Sequence, residues 1–274
     1  MKLTVLMDNK TENLWCRAEW GLSLLIETAG SKYLFDTGAS SLSLDNAEKL
    51  GIDLSDVKAC VLSHGHYDHT NGVEAFLEVN DKAPIYIHRE GIHQFRGEED
   101  GVIDDFNCGI MWSEAFIEKL KPRLVLTDHV VKLADNICLV GDIENLPGKK
   151  ATEKFYKFED GKLSIDPMNH EQFMVVEEEE GIHIITGCGH KGAETIIVRA
   201  KELFPDRKII SFTGGMHTYM LKEKERNELA CSLKELGVSK VIPLHCTGMN
   251  MIMTFKEHFG DDAIIACTGD AFDL

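Results

Sequence analysis

Two hydrophobic periods alternate along the chain. "KLTVLMDN" has the apolar alternation of a strand running into a turn, and "GLSLLIETAGSKYLFDTG" reads as a hairpin, two apolar runs joined at Ala29-Gly30-Ser31. "SLSLDNAEKLG" predicts a helix closed by Gly51. "VKACVLSH" predicts a short buried strand, "TNGVEAFLEVN" a helix, and "PIYIH", after Pro84, another strand. Strand–helix–strand alternation implies βαβ units and a layered α/β fold.

The pattern breaks between Arg89 and Arg123. Residues 89–123 carry several Gly, clustered acids and the aromatics Phe95, Phe106 and Trp112, and only the end looks helical. A long irregular segment within a domain is commonly functional, so 89–123 is expected to act as a lid over the site, with Arg89 and Arg96 offered to an anionic group. Short strands return in "LVLTDHVVKLADNICLVGDIENLPG", a strand pair flanks Asp160-Gly161, and "QFMVVEEEEGIHIITG" predicts a hairpin with Glu177–Glu180 as a solvated turn. In the last hundred residues, "HIITGCGH", "IISFTGGMH", "KVIPLHCTG" and "AIIACTGD" are each β-branched runs ending at Gly and His or Asp. Sites in open α/β sheets lie at the carboxyl ends of the strands, which would bring His190, His217 and His245 to one edge. No linker is evident, so residues 1–274 are read as one domain.

Composition narrows the partners. The 274 residues are 43% hydrophobic and 27% charged, with a formal net charge of −17. Such a surface repels phosphate backbones and excludes nucleic acid as a partner. A small anionic substrate would then need a local cation. No stretch reaches the ~18 apolar residues of a membrane span, and the start lacks a signal-peptide apolar region, so a cytoplasmic location without membrane contact is expected. The eight Cys are scattered, with no C-x-x-C pair, which fits reduced thiols. A homo-oligomer is left open.

The chemistry concentrates in "VLSHGHYDHTNG". If the strand runs through His64, then His64 and His66 point to one side, and Gly65 lets the backbone bend close to an ion. These two imidazoles can hold one metal, while Asp68 and His69, from the turn that follows, are placed for a second. Mixed nitrogen and oxygen donors suit zinc, with iron or manganese as alternatives. Further ligands must come from afar, and the strand-end histidines are the candidates. With no G-x-S-x-G motif, metal-activated water is the simplest nucleophile, and Asp68 is the residue expected to orient it.

"SHGHYDHTNG" resembles the H-x-H-x-D-H signature of the metallo-β-lactamase superfamily, and "LLIETAGSKYLFDTG" is similar to its N-terminal hairpin ending in an Asp-x-Gly turn. "ITGCGHKG", "TGGMH" and "PLHCTG" resemble later motifs of one branch, which contains dihydropterin–ribofuranosylaminobenzene phosphate synthases and bacterial metal-dependent hydrolases. The resemblance runs from about residue 3 to 270. It implies an αββα sandwich with one or two divalent transition ions, the first on His64 and His66, the second on Asp68, His69 and the late His245. Two positions depart from the family. Where a mid-chain His is usual, "LVGDIENLPG" has none, and Asp142 or Glu144 are the substitutes. Where a bridging Asp is usual, "ITGCGH" offers His190, the expected ligand, or Cys188, a thiolate if the site is soft.

Asp36 is expected to orient a ligand His by a hydrogen bond. His217 reads either as a substrate contact or proton donor, or as a His held by a helix N-terminus. Asp270 is read as part of a plain turn, and His88, His93, His129, His170, His183 and His258 as structural or surface residues. The expected activity is a metal-dependent hydrolase acting on a small phosphoester or ester. The alternatives are a pterin-type transferase releasing pyrophosphate, and a non-catalytic metal-binding or sensing protein.

Overall fold

Ala29 and Gly30 take φ of 49° and 72°, the left-handed pair that a two-residue hairpin turn requires. Strands Ser23–Thr28 and Ser31–Phe35 therefore pair antiparallel, with Thr28 opposite Ser31. The computed structural model describes residues 1–147 and 154–274. The chain forms two compact units: Met1–Asp128 with Glu153–His170 and Cys267–Leu274, and His129–Thr152 with Glu171–Ala266.

In the first unit that hairpin sits inside a seven-stranded sheet. Ala271–Asp273, Lys2–Met7, Ser23–Thr28 and Ser31–Phe35 make its antiparallel half. Ala59–Val61, Ile85–His88 and Leu124–Thr127 continue it in parallel. Its core packs Leu6, Leu25, Leu34, Cys60, Ile85 and Ile87 against Ala47, Phe76, Phe116 and Leu120 from the helices Leu42–Lys49, Val73–Val79 and Glu114–Leu120. Gly51, at φ 69°, follows the first of these helices, and its N–H reaches Glu48 O at 3.0 Å. In the parallel half, Phe35 stands opposite Val61. The residues after each strand, Asp36 and Leu62-Ser63, consequently leave the sheet side by side, with Asp36 N–H donating to Val61 O at 2.8 Å.

Part of the segment read as irregular is ordered. Gln94–Glu99 and Val102–Ile103 are strands, and with Phe155–Glu159 and Lys162–Asp166 they form a four-stranded antiparallel sheet in the same unit. "QFRGEE" has no apolar alternation, and its partner strand lies some sixty residues on, so no local signal marked it. The helical end is as expected, at Glu114–Leu120.

The second unit is built on a six-stranded sheet in the order Val238–Pro243, Ile209–Gly214, Gly181–Thr186, Phe173–Glu178, Ile137–Val140, Val130–Ala134. The first three strands are parallel, and Thr186, Gly214 and Pro243 stand in one row across them. Helices Ala193–Leu203, Glu223–Glu235 and Met249–Phe259 bury Ile196, Ile197, Ala200, Ala230, Leu233, Met251 and Phe255 in a core with Ile184, Phe212 and Val241. Two readings need correction. Glu177 and Glu178 belong to the strand, leaving Glu179 and Glu180 as the exposed turn. "AIIACTGD" is no strand: it contributes only isolated bridges at Ala263 and Thr268, and Asp270 Oδ2 closes a turn on Cys267 N at 2.9 Å. Among the described residues no helix is long and apolar enough to cross a membrane.

Candidate metal centre

The strand before the motif ends at Val61, so His64 comes from a bend, while His66 is an extended residue bridged to Gly109 rather than part of that strand. They converge all the same: His64 Nε2 and His66 Nδ1 are 3.0 Å apart. Two nitrogens bound at 2.0–2.1 Å to a tetrahedral ion stand about 3.3 Å apart, so the pair has the spacing of two ligands to one ion. His69 Nε2 lies 3.8 Å from Asp68 Oδ2 on the short helix Tyr67–Thr70.

Asp36 organises these rings. Its Oδ1 accepts from Ser63 N at 2.7 Å, and its Oδ2 accepts from Ser63 Oγ at 2.7 Å. With the hydroxyl proton committed to Asp36, Ser63 Oγ can only accept from His64 Nδ1, 2.9 Å away. His69 Nδ1, 2.7 Å from Asp36 Oδ2, must likewise donate. Both rings are thereby fixed with the Nδ1 proton on and the Nε2 lone pair outward, the form that ligates a metal. Asp36 itself takes φ 59° at the strand end, a left-handed conformation that Asp tolerates better than most residues. Burial, helped by His170 and His69 and opposed by Asp68 and Asp166, pushes His66 down to about 3. It is thus a neutral imidazole at ordinary pH, as a metal ligand must be.

Gly65 is required for a reason other than closeness to an ion. A Cβ there would stand 2.1 Å from Gly91 O. The Gly65 N–H donates to His170 Nδ1 at 3.1 Å, so His170 Nε2 carries the proton that reaches Asp166 Oδ2 at 2.9 Å. Burial alone would push the Asp166 carboxyl up, but the hydrogen bonds from His170 and from Met168 N hold it below its usual value. His170, read from sequence as structural or surface, is in fact fully buried and stacks on Phe95 at 4.5 Å. It positions the loop of His64 and His66. His170→Ala removes the partner of a buried N–H and leaves a cavity, so a loss of about 3 kcal/mol in chemical denaturation is expected. Metal affinity should weaken with it. A loss under about 1 kcal/mol with unchanged affinity would remove His170 from this role.

In the second unit, the row of strand ends delivers three loops to one sheet edge. Glu171 clamps the first, its carboxylate accepting from His190 N at 2.7 Å and Lys191 N at 2.6 Å. His217 and His245 take φ of 49° and 50°, conformations costing of order 1–3 kcal/mol that persist at functional positions. Donor atoms of Cys188, His190 and His217 lie within 4.8 Å of one another, as do those of Cys188, His245 and Cys246. Burial alone would raise the Cys246 thiol; the Cys188 hydrogen bond, His245 and His217 draw it well below its ordinary value. His217 precedes the helix Glu223–Glu235 by six residues and does not sit at its N-terminus. Cys246 was not singled out from sequence; only "HCTG" after a strand could have marked it.

Asp142 and Glu144 are exposed, and Asp142 Oδ2 pairs with His129 Nδ1. Neither belongs to a cluster of three or more metal-ligand side chains among the described residues. The segment 89–123 does reach the motif within the first unit: Tyr67 N donates to Cys108 O at 3.0 Å, and Phe95 lies edge-on to His66 at 5.7 Å. Phe106 is exposed and packs on Tyr67 at 5.4 Å, whereas Trp112 packs on the first core and its Nε1 donates to Thr70 O. The arginines are engaged, Arg89 with Asp128 and Arg96 with Phe95 O, Asn107 and the Phe158 ring.

Buried neutral imidazoles with outward lone pairs, beside a carboxylate, are the donor chemistry of a divalent transition ion. The profile of the metallo-beta-lactamase superfamily matches residues 21–198. The chain belongs to the metallo-β-lactamase superfamily. Over 256 residues it is 29% identical to the 7,8-dihydropterin-6-methyl-4-(beta-D-ribofuranosyl)-aminobenzene-5'-phosphate synthase of Methanocaldococcus jannaschii, covering 89% of this chain and 86% of that one. Tm1679, described as a metal-dependent hydrolase of the beta-lactamase superfamily, superposes with a TM-score of 0.83 at 30% identity, covering 100% of this chain and 99% of its own. YhfI from Bacillus subtilis, a metallo-beta-lactamase fold protein at 14% identity, shares the fold with a TM-score of 0.58 over 99% of this chain and 98% of its own. The resemblance seen in "SHGHYDHTNG" and the fold class expected from it are borne out. The metallo-β-lactamase fold and the clusters of His, Asp and Cys together point to divalent metal binding.

Proposed function

We propose that this metallo-β-lactamase-fold chain is a metal-dependent hydrolase that directs water at a small anionic phosphoester or ester. The observation that carries this reading is the Asp36 network, which presents His64 Nε2 and His69 Nε2 as buried lone pairs beside Asp68. His64 and His66 would hold the first ion and Asp68 and His69 the second, with His245 the late ligand that the family resemblance implies and His190 in place of the usual bridging Asp. When bound, such ions lower the pKa of water towards 7 and polarise a phosphoryl or carbonyl oxygen. Asp68 would orient the attacking water by its second oxygen, and His217 would give a proton to the leaving group. Zinc suits these donors, with iron or manganese as alternatives. The exposed Phe106 would form an apolar wall for the substrate. A cytoplasmic location belongs to the same proposal.

A second reading has its own support. The similarity to the synthase, at 29% over 89% of this chain, favours transfer with release of pyrophosphate, the metal stabilising that leaving group. Metal-loaded protein should be assayed against phosphoesters, esters and a pterin diphosphate with an aromatic acceptor. Hydrolysis of an ester without pyrophosphate release supports the hydrolase. Pyrophosphate appearing only with the pterin substrate replaces it with the transferase, and inertness of fully loaded protein to both favours a binding or sensing role.

A further inference from the structure

Of the eight cysteines, all free, Cys231 is the exposed one among the described residues. It stands one helical turn after Asn227 on Glu223–Glu235, so the two side chains share a face. His258 meets both from the last turn of the neighbouring helix Met249–Phe259. Its Nδ1 lies 3.8 Å from Cys231 Sγ, and its Nε2 lies 2.7 Å from Asn227 Oδ1. The amide fixes the tautomer. Asn227 Nδ2 donates to Glu223 O at 2.9 Å, which leaves Oδ1 as the acceptor. His258 Nε2 therefore carries the ring proton, and the Nδ1 lone pair faces the thiol. Lys234 Nζ donates to His258 O at 2.6 Å and ties the two helices together at this point.

We propose that Cys231, with His258 as its base and Asn227 positioning that base, is a site of thiol–disulfide exchange with a small disulfide. The thiolate, not the thiol, attacks a disulfide, and an adjacent base can supply it. His258 Nδ1 takes the thiol proton, Cys231 Sγ bonds to one sulfur of the disulfide, and the S–S bond breaks. The departing thiolate takes the proton from His258 and leaves as a thiol, while Cys231 is oxidised to a mixed disulfide. Acyl transfer fits this place less well. Within a helix the N–H of Cys231 is bonded to the carbonyl four residues back, so it is not free to hold an oxyanion. Disulfide exchange needs no such donor. A depression of about 530 Å³, lined by Lys224, Asn227, Glu228, Cys231, Ser232 and Glu235, leaves the sulfur open to a small reagent. None of the three residues belongs to a metal-donor cluster among the described residues, and the proposal does not depend on the hydrolase reading.

Hydroxyethyl disulfide, an uncharged probe, tests it. Reduced protein treated with the probe at neutral pH should gain a single adduct per chain, which peptide mass spectrometry places on Cys231. Exchange should be faster than with a free peptide thiol such as glutathione by at least about tenfold. His258→Ala should remove that advantage. Asn227→Ala should slow exchange at least roughly threefold, and Asn227→Asp, which keeps an acceptor oxygen, should restore it. A structural role alone for Asn227 would change the melting temperature and leave the rate where it was. Exchange in the native protein no faster than with glutathione, or a first adduct on another cysteine, overturns the proposal whether or not the variants fold. An unchanged rate in folded His258→Ala overturns it equally.

Discussion

Replacing His64 and His66 together by Ala is expected to remove the ion held at the motif and to lower turnover by at least about 10²–10³-fold. The two nitrogens facing each other at 3.0 Å are the donors lost, and no neighbouring side chain can reproduce their paired lone pairs. The strands of the first unit do not depend on them, because Ala59–Val61 is held by pairing to Ser31–Phe35 and Ile85–His88. Elemental analysis should show metal falling by about one equivalent per chain while circular dichroism keeps its folded spectrum. Unchanged metal content in a folded double variant would sink the assignment of these residues.

Asp36→Ala is expected to be the most damaging change outside the ligands. The carboxylate is fully buried and receives Ser63 N, Ser63 Oγ and His69 Nδ1. Deleting it strands three buried donors, which should cost about 3–5 kcal/mol in urea or thermal unfolding. It also frees the tautomers of both His64 and His69, so metal affinity should fall roughly 10–100-fold in whatever protein still folds. Asp36→Asn separates the two effects. The amide restores one acceptor and the volume, but its NH₂ cannot accept from His69. Stability should recover in part while affinity stays low. Full metal affinity in Asp36→Asn would show that the carboxylate does not set the rings.

Much of this was legible because it is local. The turns at Ala29-Gly30 and Asp160-Gly161 need left-handed backbone, which Gly supplies most readily, and they announce hairpins without reference to anything distant. The β-branched runs in "HIITGCGH", "IISFTGGMH" and "KVIPLHCTG" read as strands stopping at Gly and His, and their parallel pairing sets the ends Thr186, Gly214 and Pro243 in one row. Asp36, expected from the "FDTG" turn to hydrogen-bond a histidine of the motif, does so with His69.

Other features were hidden because their cause lies far along the chain. Gly65 seemed to serve an ion, but its constraint is the carbonyl of Gly91. His170 had no motif around it; it matters because Gly65, 105 residues earlier, donates to it. "QFRGEE" is too polar to announce a strand and becomes one by pairing with Phe155–Glu159. The sequence by itself determined the turns, the buried strands, the family and the chemistry available in His64, His66, Asp68 and His69, since period and turn preference act over a few residues. Only the tertiary structure decided which lone pairs face outward, which acid holds them and that Cys188 meets Cys246. Those depend on groups 33, 105 and 58 positions apart being brought within hydrogen-bond or van der Waals reach, and no local preference encodes that closure.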